Sequence, residues 1–240
     1  KIKNLYKANI DPERIVIMPG GKPTMSFAIS FFGEPGGEII YPDPGFPIYE
    51  SMIKYTGAKA IPYNLTIKEN FSIDVDNILS LINEKTRLLI INNPHNPSGS
   101  LTDKKVIDKL ANGLTNFPHV VILSDEIYDR LIFDKKEIPT FFNYPNLYDR
   151  LIVLNGWSKT YAMTGWRLGW GVWPENLLEH VFKFCVNNHS CVNTPAQYGA
   201  IAALNGPEDH LNDMMEEFTA RRKLVVDGLK SLNGVKCSLP

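Results

Sequence analysis

Cysteine is scarce in this 240-residue chain: Cys185, Cys191 and Cys237 are all it has. An odd number at that spacing builds neither a disulfide framework nor a zinc site, and it predicts a reducing, cytoplasmic setting. Each reads as a small buried hydrophobe. A surplus of one charge is also missing, since 25 Lys and Arg stand against 26 Asp and Glu for a net charge of −1. That leaves no basic footprint for nucleic acid or an anionic membrane surface. No apolar run approaches transmembrane length, and no basic-then-apolar leader is visible. Neither nucleic acid nor a membrane is expected as a partner. Internal repeats and low-complexity tracts are lacking as well.

What is present is ordinary globular material, 44% hydrophobic and 21% charged, enough for one large domain with a sizeable core. Both ends read as cut. There is no initiator methionine, Lys1 falls inside a polar helix end, and residues 235–240 read as a strand without a partner. The expectation is a fragment of a longer protein, with one large domain over residues 1–240.

Apolar runs of strand type alternate with helical patterns. Strands are predicted over 14–18, 38–41, 58–63, 88–91, 120–123 and 151–154. Helices are predicted over 22–32, 46–56, 74–82 and 102–114, the last capped by Thr102, and they dominate from 175 to 232. Such alternation means βαβ units, hence an α/β fold with a mainly parallel sheet between two helical layers. Ligands in such sheets sit at the carboxyl ends of strands. Asn92, Asp125 and Ser158-Lys159 each follow a predicted strand.

The stretch Ser158-Lys159-Thr-Tyr-Ala-Met-Thr-Gly165-Trp-Arg167-Leu-Gly169 carries the sharpest chemistry. A lysine can form a Schiff base, and an arginine can hold a phosphate through paired N–H bonds. Taken alone, the pair describes a solvated loop. Taken with the other motifs, it points to a lysine linked to a phosphorylated aldehyde, pyridoxal 5'-phosphate. Pro19-Gly20-Gly21-Lys22, between a strand and a helix, offers a backbone turn for the phosphate, completed by Ser158 and Arg167. Asp125 at a buried strand end would hold a ring nitrogen protonated. Tyr128 would reach the same ligand from one helical turn further on, and Tyr128 and Asn96 are the candidates to bond the ring oxygen. Phe46, in Asp43-Pro44-Gly45-Phe46-Pro47-Ile-Tyr49, would stack on the ring. Glu126 is a neighbour with no assigned chemistry, and His95 reads as a loop residue.

Four blocks resemble the class I/II aminotransferases, the fold-type I pyridoxal-phosphate enzymes, in order: Pro19–Lys22, Asn93-Pro-His-Asn-Pro-Ser-Gly99, Ser124-Asp-Glu-Ile-Tyr128, and Ser158-Lys159 through Gly169. The resemblance covers nearly the whole chain. It implies that Lys159 is the imine-forming lysine and that Asp125 pairs with the pyridine nitrogen. It further implies that Tyr128 and Asn96 bind the ring oxygen, and that Gly20, Gly21, Lys22, Ser158 and Arg167 form the phosphate site. Phe46 takes the stacking position. Asn193-Thr-Pro195-Ala-Gln197 resembles a segment near the family's dimer interface, so a homodimer is expected. Relative to the family, an N-terminal arm and a C-terminal small domain with the carboxylate-binding arginine are missing. Trp157 is bulkier than the family's usual residue.

The implied reaction moves an amino group from an L-amino acid to a 2-oxo acid such as 2-oxoglutarate, with ping-pong kinetics and Lys159 as proton shuttle. Aspartate, alanine and aromatic donors all remain open. Two other readings stay open: another reaction on the same scaffold (C–S lyase, decarboxylase or cyclopropane-forming synthase), and a ligand-sensing domain of a transcription regulator.

Overall fold

In the computed structural model, which describes residues 1–134 and 138–240, helix α1 (Ile2–Tyr6) precedes strand β1 (Ile15–Met18) and helix α2 (Lys22–Phe32). Then come β2 (Glu38–Asp43), α3 (Ile48–Thr56), β3 (Lys59–Asn64), α4 (Val75–Leu81), β4 (Thr86–Asn92), α5 (Lys104–Leu114) and β5 (Val121–Asp125). The chain continues through β6 (Leu151–Gly156), β7 (Gly169–Val172), α6 (Leu178–Asn188), α7 (Thr194–Asn205) and α8 (Asp209–Lys230). One seven-stranded sheet runs β1-β7-β6-β5-β4-β2-β3. Its strands from β6 to β3 pair parallel, and β7 is antiparallel to both β6 and β1.

The central strands are apolar throughout because helices cover both faces. Side chains alternate between two cores, as a period of two requires. Leu88, Ile90, Leu123, Ile152 and Leu154 pack with Met25, Tyr49, Ile53 and Val181 of α2, α3 and α6. Leu89, Ile91, Ile122, Leu151 and Val153 pack on the other side with Tyr6, Ile78, Leu110 and Ala200 of α1, α4, α5 and α7. The result is a three-layer α/β/α arrangement. Helix α5 shows the underlying logic: Ile107, Leu110, Ala111 and Leu114 fall on one stripe, and all four are buried.

Some boundaries differ from the sequence expectation. Helix α3 starts at Ile48 rather than residue 46, because the residue before Pro47 is pushed out of the helical region. Thr102 does not cap α5; Asp103 takes that position, and the Thr102 N–H donates instead to Asn93 Oδ1 at 2.9 Å. Strand β7 escaped prediction because its glycines hide the apolar alternation. Residues 235–240 form no strand. They pack on α8 and a loop instead: Arg222 Nη1 donates to Pro240 O at 3.1 Å, and a Cβ on Gly99 would come within 2.7 Å of Pro240. Among the described residues no helix is long and apolar enough to cross a membrane.

Candidate active site

Strands β4, β5 and β6 end side by side, with Asn92 in register with Asp125 and Asp125 with Leu154. Strand β7 runs the other way, so its first residue, Gly169, lies at the same edge, opposite Met18 at the end of β1. Every loop that carries a candidate residue therefore leaves from this edge. The loops enclose a cavity of about 250 Å³ lined by Gly21, Lys22, Phe46, Asn96, Asp125, Tyr128, Ser158, Lys159 and Arg167. Gly20 is buried and is not among the residues that line the cavity; it meets the site through Arg167.

Asp125 is 4% exposed. Its Oδ2 accepts from Tyr49 Oη at 2.8 Å and its Oδ1 from the Ile127 N–H at 3.2 Å. Burial lifts its pKa to about 6, while the Tyr49 and Ile127 bonds and the Lys159 charge pull it down. Burial and the adjacent carboxylate push the Tyr49 phenol well above its ordinary value, so it stays a donor. Tyr49 belongs to the site although the sequence reading left it unassigned. An aromatic on the buried face of a helix looks like core, and the only hint was its place in the Pro44–Tyr49 block.

Asn92 is the other residue left unassigned. Its Nδ2 donates to Asp125 O at 3.1 Å and its Oδ1 accepts from the Asn96 N–H at 2.8 Å. One side chain thus ties the Asn96 turn to the Asp125 strand end. His95 points away from the cavity. Its Nε2 lies 2.9 Å from Pro44 O and its Nδ1 2.7 Å from Ser98 Oγ, so the ring joins the Asn96 turn to the loop bearing Phe46. Burial lowers the His95 pKa against the pull of the Pro44 carbonyl, which suits a neutral ring donating through Nε2.

Tyr128 sits in consecutive tight turns rather than in a helical turn: Asp129 N donates to Glu126 O at 3.0 Å and Leu131 N to Tyr128 O at 2.8 Å. The Tyr128 ring faces the lysine, with Lys159 Nζ 5.4 Å from its centroid. Behind this pair the next residues also meet. Asp129, fully buried, accepts from Tyr6 Oη, lies 3.3 Å from Lys1 Nζ, and has Thr160 Oγ1 at 3.5 Å. Glu126 is held apart from the cavity by Ser124 Oγ (2.9 Å), Thr140 Oγ1 (2.7 Å) and the Phe141 N–H (3.0 Å). Burial raises its pKa to about 7 against these three donors.

Arg167 donates from Nη1 to Thr164 O at 2.8 Å and from Nη2 to Pro19 O at 3.3 Å. A guanidinium carries five N–H donors, so others are left for an anion. Its backbone is left-handed (φ 55°), an uncommon state for a residue with a side chain and one that gathers at functional sites. Gly20, at φ 93°, makes room for it: a Cβ there would stand 2.3 Å from Arg167 Nη2. Gly169 is needed for the same reason, since a Cβ on it would meet the Gly20 carbonyl carbon at 2.3 Å. The turn then feeds the start of α2, whose first N–H groups have no partner within the helix. Bare backbone, a helix start and a guanidinium form an anion cradle.

Comparison with known proteins agrees with this arrangement. The family model for aminotransferase class I and II matches residues 1–240. The chain is 37% identical over 238 residues to a probable aspartate aminotransferase of Methanocaldococcus jannaschii, covering 97% of this chain and 62% of that protein. It superposes on the crystal structure of the aspartate aminotransferase of Rhizobium meliloti with a TM-score of 0.95 at 30% identity, covering 100% of this chain and 60% of that one. With the aromatic aminotransferase of Pyrococcus horikoshii the TM-score is 0.92 at 31% identity, over 97% of this chain and 63% of that one. The chain thus spans less than two thirds of the length of these relatives.

Proposed function

The chain belongs to the aminotransferase class I and II family, and on that premise we propose that its cavity binds pyridoxal 5'-phosphate and transfers an amino group between an L-amino acid and a 2-oxo acid. The observation that carries this reading is the convergence of Lys159, Asp125 and Arg167 on one cavity. The family's chemistry rests on this cofactor, and the residues present suit it. The space a Cβ would fill at Gly20 admits a phosphate-binding guanidinium, and Asp125 is a buried carboxylate awaiting a cation.

When bound, the cofactor supplies an aldehyde that condenses with amines and a conjugated ring that accepts an electron pair. Arg167, the Ser158 hydroxyl and the backbone N–H groups of Gly21 and Lys22 hold the phosphate. Asp125, ionised and oriented by Tyr49, keeps the proton on the ring nitrogen; the cation in turn draws its pKa down. Tyr128 and Asn96 donate to the ring oxygen. Phe46 covers a ring face and keeps water out. Lys159 Nζ would hold the aldehyde at rest and, when a substrate amine has taken its place, would carry the proton from the substrate Cα to the former aldehyde carbon.

Aspartate with 2-oxoglutarate is the first pair to test, since relatives carry that name. Aromatic donors come next, on the strength of the Pyrococcus horikoshii enzyme. A homodimer is supported by exposed apolar residues on α6 and α7, among them Val186 (67% exposed), Tyr198 (71%) and Ile201 (54%). A cytoplasmic setting is supported by the unpaired cysteines. Borohydride treatment of the cofactor-loaded protein should bleach the visible band and leave label on Lys159. A donor panel should then form 2-oxo acids with 2-oxoglutarate as acceptor. A protein that retains no label, or that releases ammonia and pyruvate instead, does not perform this reaction.

A further inference from the structure

The loop carrying Lys159 and Arg167 stands on one turn of α7. Trp157 opens it. The Trp157 N–H donates to Leu168 O at 3.2 Å, closing the loop, and its carbonyl accepts from Tyr161 N at 3.2 Å and Met163 N at 3.4 Å. Its indole is 4% exposed, and Nε1 donates to Ala200 O at 3.2 Å. At the other end of the loop, the Trp166 ring lies on Gly199, where a Cβ would come within 2.6 Å of it. Ala200 and Gly199 are consecutive in α7. One indole is adjacent to Ser158 and two residues from Lys159; the other is adjacent to Arg167.

We infer that Trp157 is a positioning residue, and that its indole N–H on Ala200 fixes the amine-bearing end of the loop relative to the anion-binding end. The inference rests on the proposed function. A phenylalanine at 157 would fill most of the same space but has no N–H to donate, so the bond is separable from the packing. No other hydrogen bond of Trp157 replaces it: the rest are made by its backbone and stay within residues 157–168. Without the indole bond the loop stays closed on itself but is no longer tied to α7 at Lys159.

The test compares W157F and Gly199→Ala with the unmutated protein in two measurements: cofactor affinity by absorbance, and the pH at which the chromophore formed at Lys159 titrates. The groups that surround that amine, Asp125, Tyr49, Tyr128, Lys22 and Arg167, are unchanged in both variants. Loss of one buried hydrogen bond should weaken W157F binding by about three- to tenfold and move the titration. Gly199→Ala keeps Trp157 and displaces Trp166 from the same turn of α7; it should weaken binding in the same sense, and if W157F does not fold, unchanged affinity in Gly199→Ala overturns the claim that α7 fixes the loop. A merely structural tryptophan would lower thermal stability and leave the titration where it was. An unmutated protein with no chromophore overturns the proposed function and this inference with it. A normal chromophore whose affinity and titration are unchanged in the folded variants overturns this inference alone.

Discussion

Tyr49 donates a 2.8 Å hydrogen bond to Asp125, joining helix α3 to the end of β5 beneath the cavity. Both groups are buried, so the bond is made in a low-dielectric setting where it counts for most. It occupies one lone pair of the carboxylate and the Ile127 N–H another, which leaves acceptor capacity on both oxygens for a ligand. The site acid is thereby oriented before any ligand arrives.

Tyr49→Phe keeps the ring and removes the donor. Because that bond lowers the Asp125 pKa from where burial would put it, its loss should raise the pKa above about 6. Less carboxylate is then ionised in the cofactor-free protein at a given pH, so the loss of cofactor affinity on the acid side should set in at higher pH. A charge-assisted bond is worth about 1.5–3 kcal/mol, so kcat/KM should fall by at least about tenfold at neutral pH. Cofactor titrations across pH 5–9 check the first statement and steady-state kinetics the second.

Asp125→Ala removes the proposed partner of the ring nitrogen. Weaker cofactor binding and almost complete loss of turnover are expected, whereas Lys159→Ala should retain phosphate-dependent binding and lose the borohydride-sensitive band. The two variants should therefore separate in an absorbance titration. Unchanged turnover in either would contradict its assigned role.

Gly20→Ala places a methyl group against Arg167 in a backbone state that costs a side-chain residue about 1–2 kcal/mol. Cofactor affinity should drop by at least about tenfold, and added inorganic phosphate should compete less well than in the unmutated protein. Equilibrium dialysis with the cofactor measures the first effect and phosphate competition the second.

Glu126 tests the electrostatics away from the chemistry. Its pKa is raised to about 7 from an ordinary 4.5, chiefly by burial. The folded protein therefore holds the proton over a range in which the unfolded chain has lost it. Stability from this group is full below about 4.5 and declines as pH rises to about 7. Glu126→Gln removes that decline and keeps an oxygen for Phe141 N and Ser124. Relative to wild type it should gain stability between pH 5 and 8, by up to about 3 kcal/mol in urea unfolding. A constant difference across that range would show that Glu126 does not take up its proton on folding.

The turn-rich block around Asn96 stood out through the family resemblance, whereas Lys159, Asp125 and Arg167 stood out as candidates because each breaks an apolar or glycine-rich pattern with a group that needs a reason to be there. The parallel sheet was legible for a related reason, since strands buried on both faces have to be apolar throughout. Tyr49 and Trp157 were not, because a buried aromatic satisfies the core whether or not its polar atom is also used. Tyr49 Oη and Trp157 Nε1 acquire their roles only through Asp125 and Ala200, which lie 76 and 43 residues away in the chain. Strand β7 was hidden for the opposite reason. Gly169 and Gly171 blur its pattern, and those glycines are there so that the Gly20 turn and Thr24 can come close.

The sequence by itself determined the alternation of strands and helices, the edge of the sheet that carries the polar residues, and the chemical identity of the groups found there. All of these follow from local composition and periodicity. Only the tertiary structure decided which buried groups act on one another: that Tyr49 rather than a solvent molecule meets Asp125, that Asn92 holds the Asn96 turn, and that α7 supports the lysine loop. Hydrogen-bond partnership across a folded core depends on distances of a few tenths of an ångström between residues far apart in the chain, and no local pattern encodes those distances.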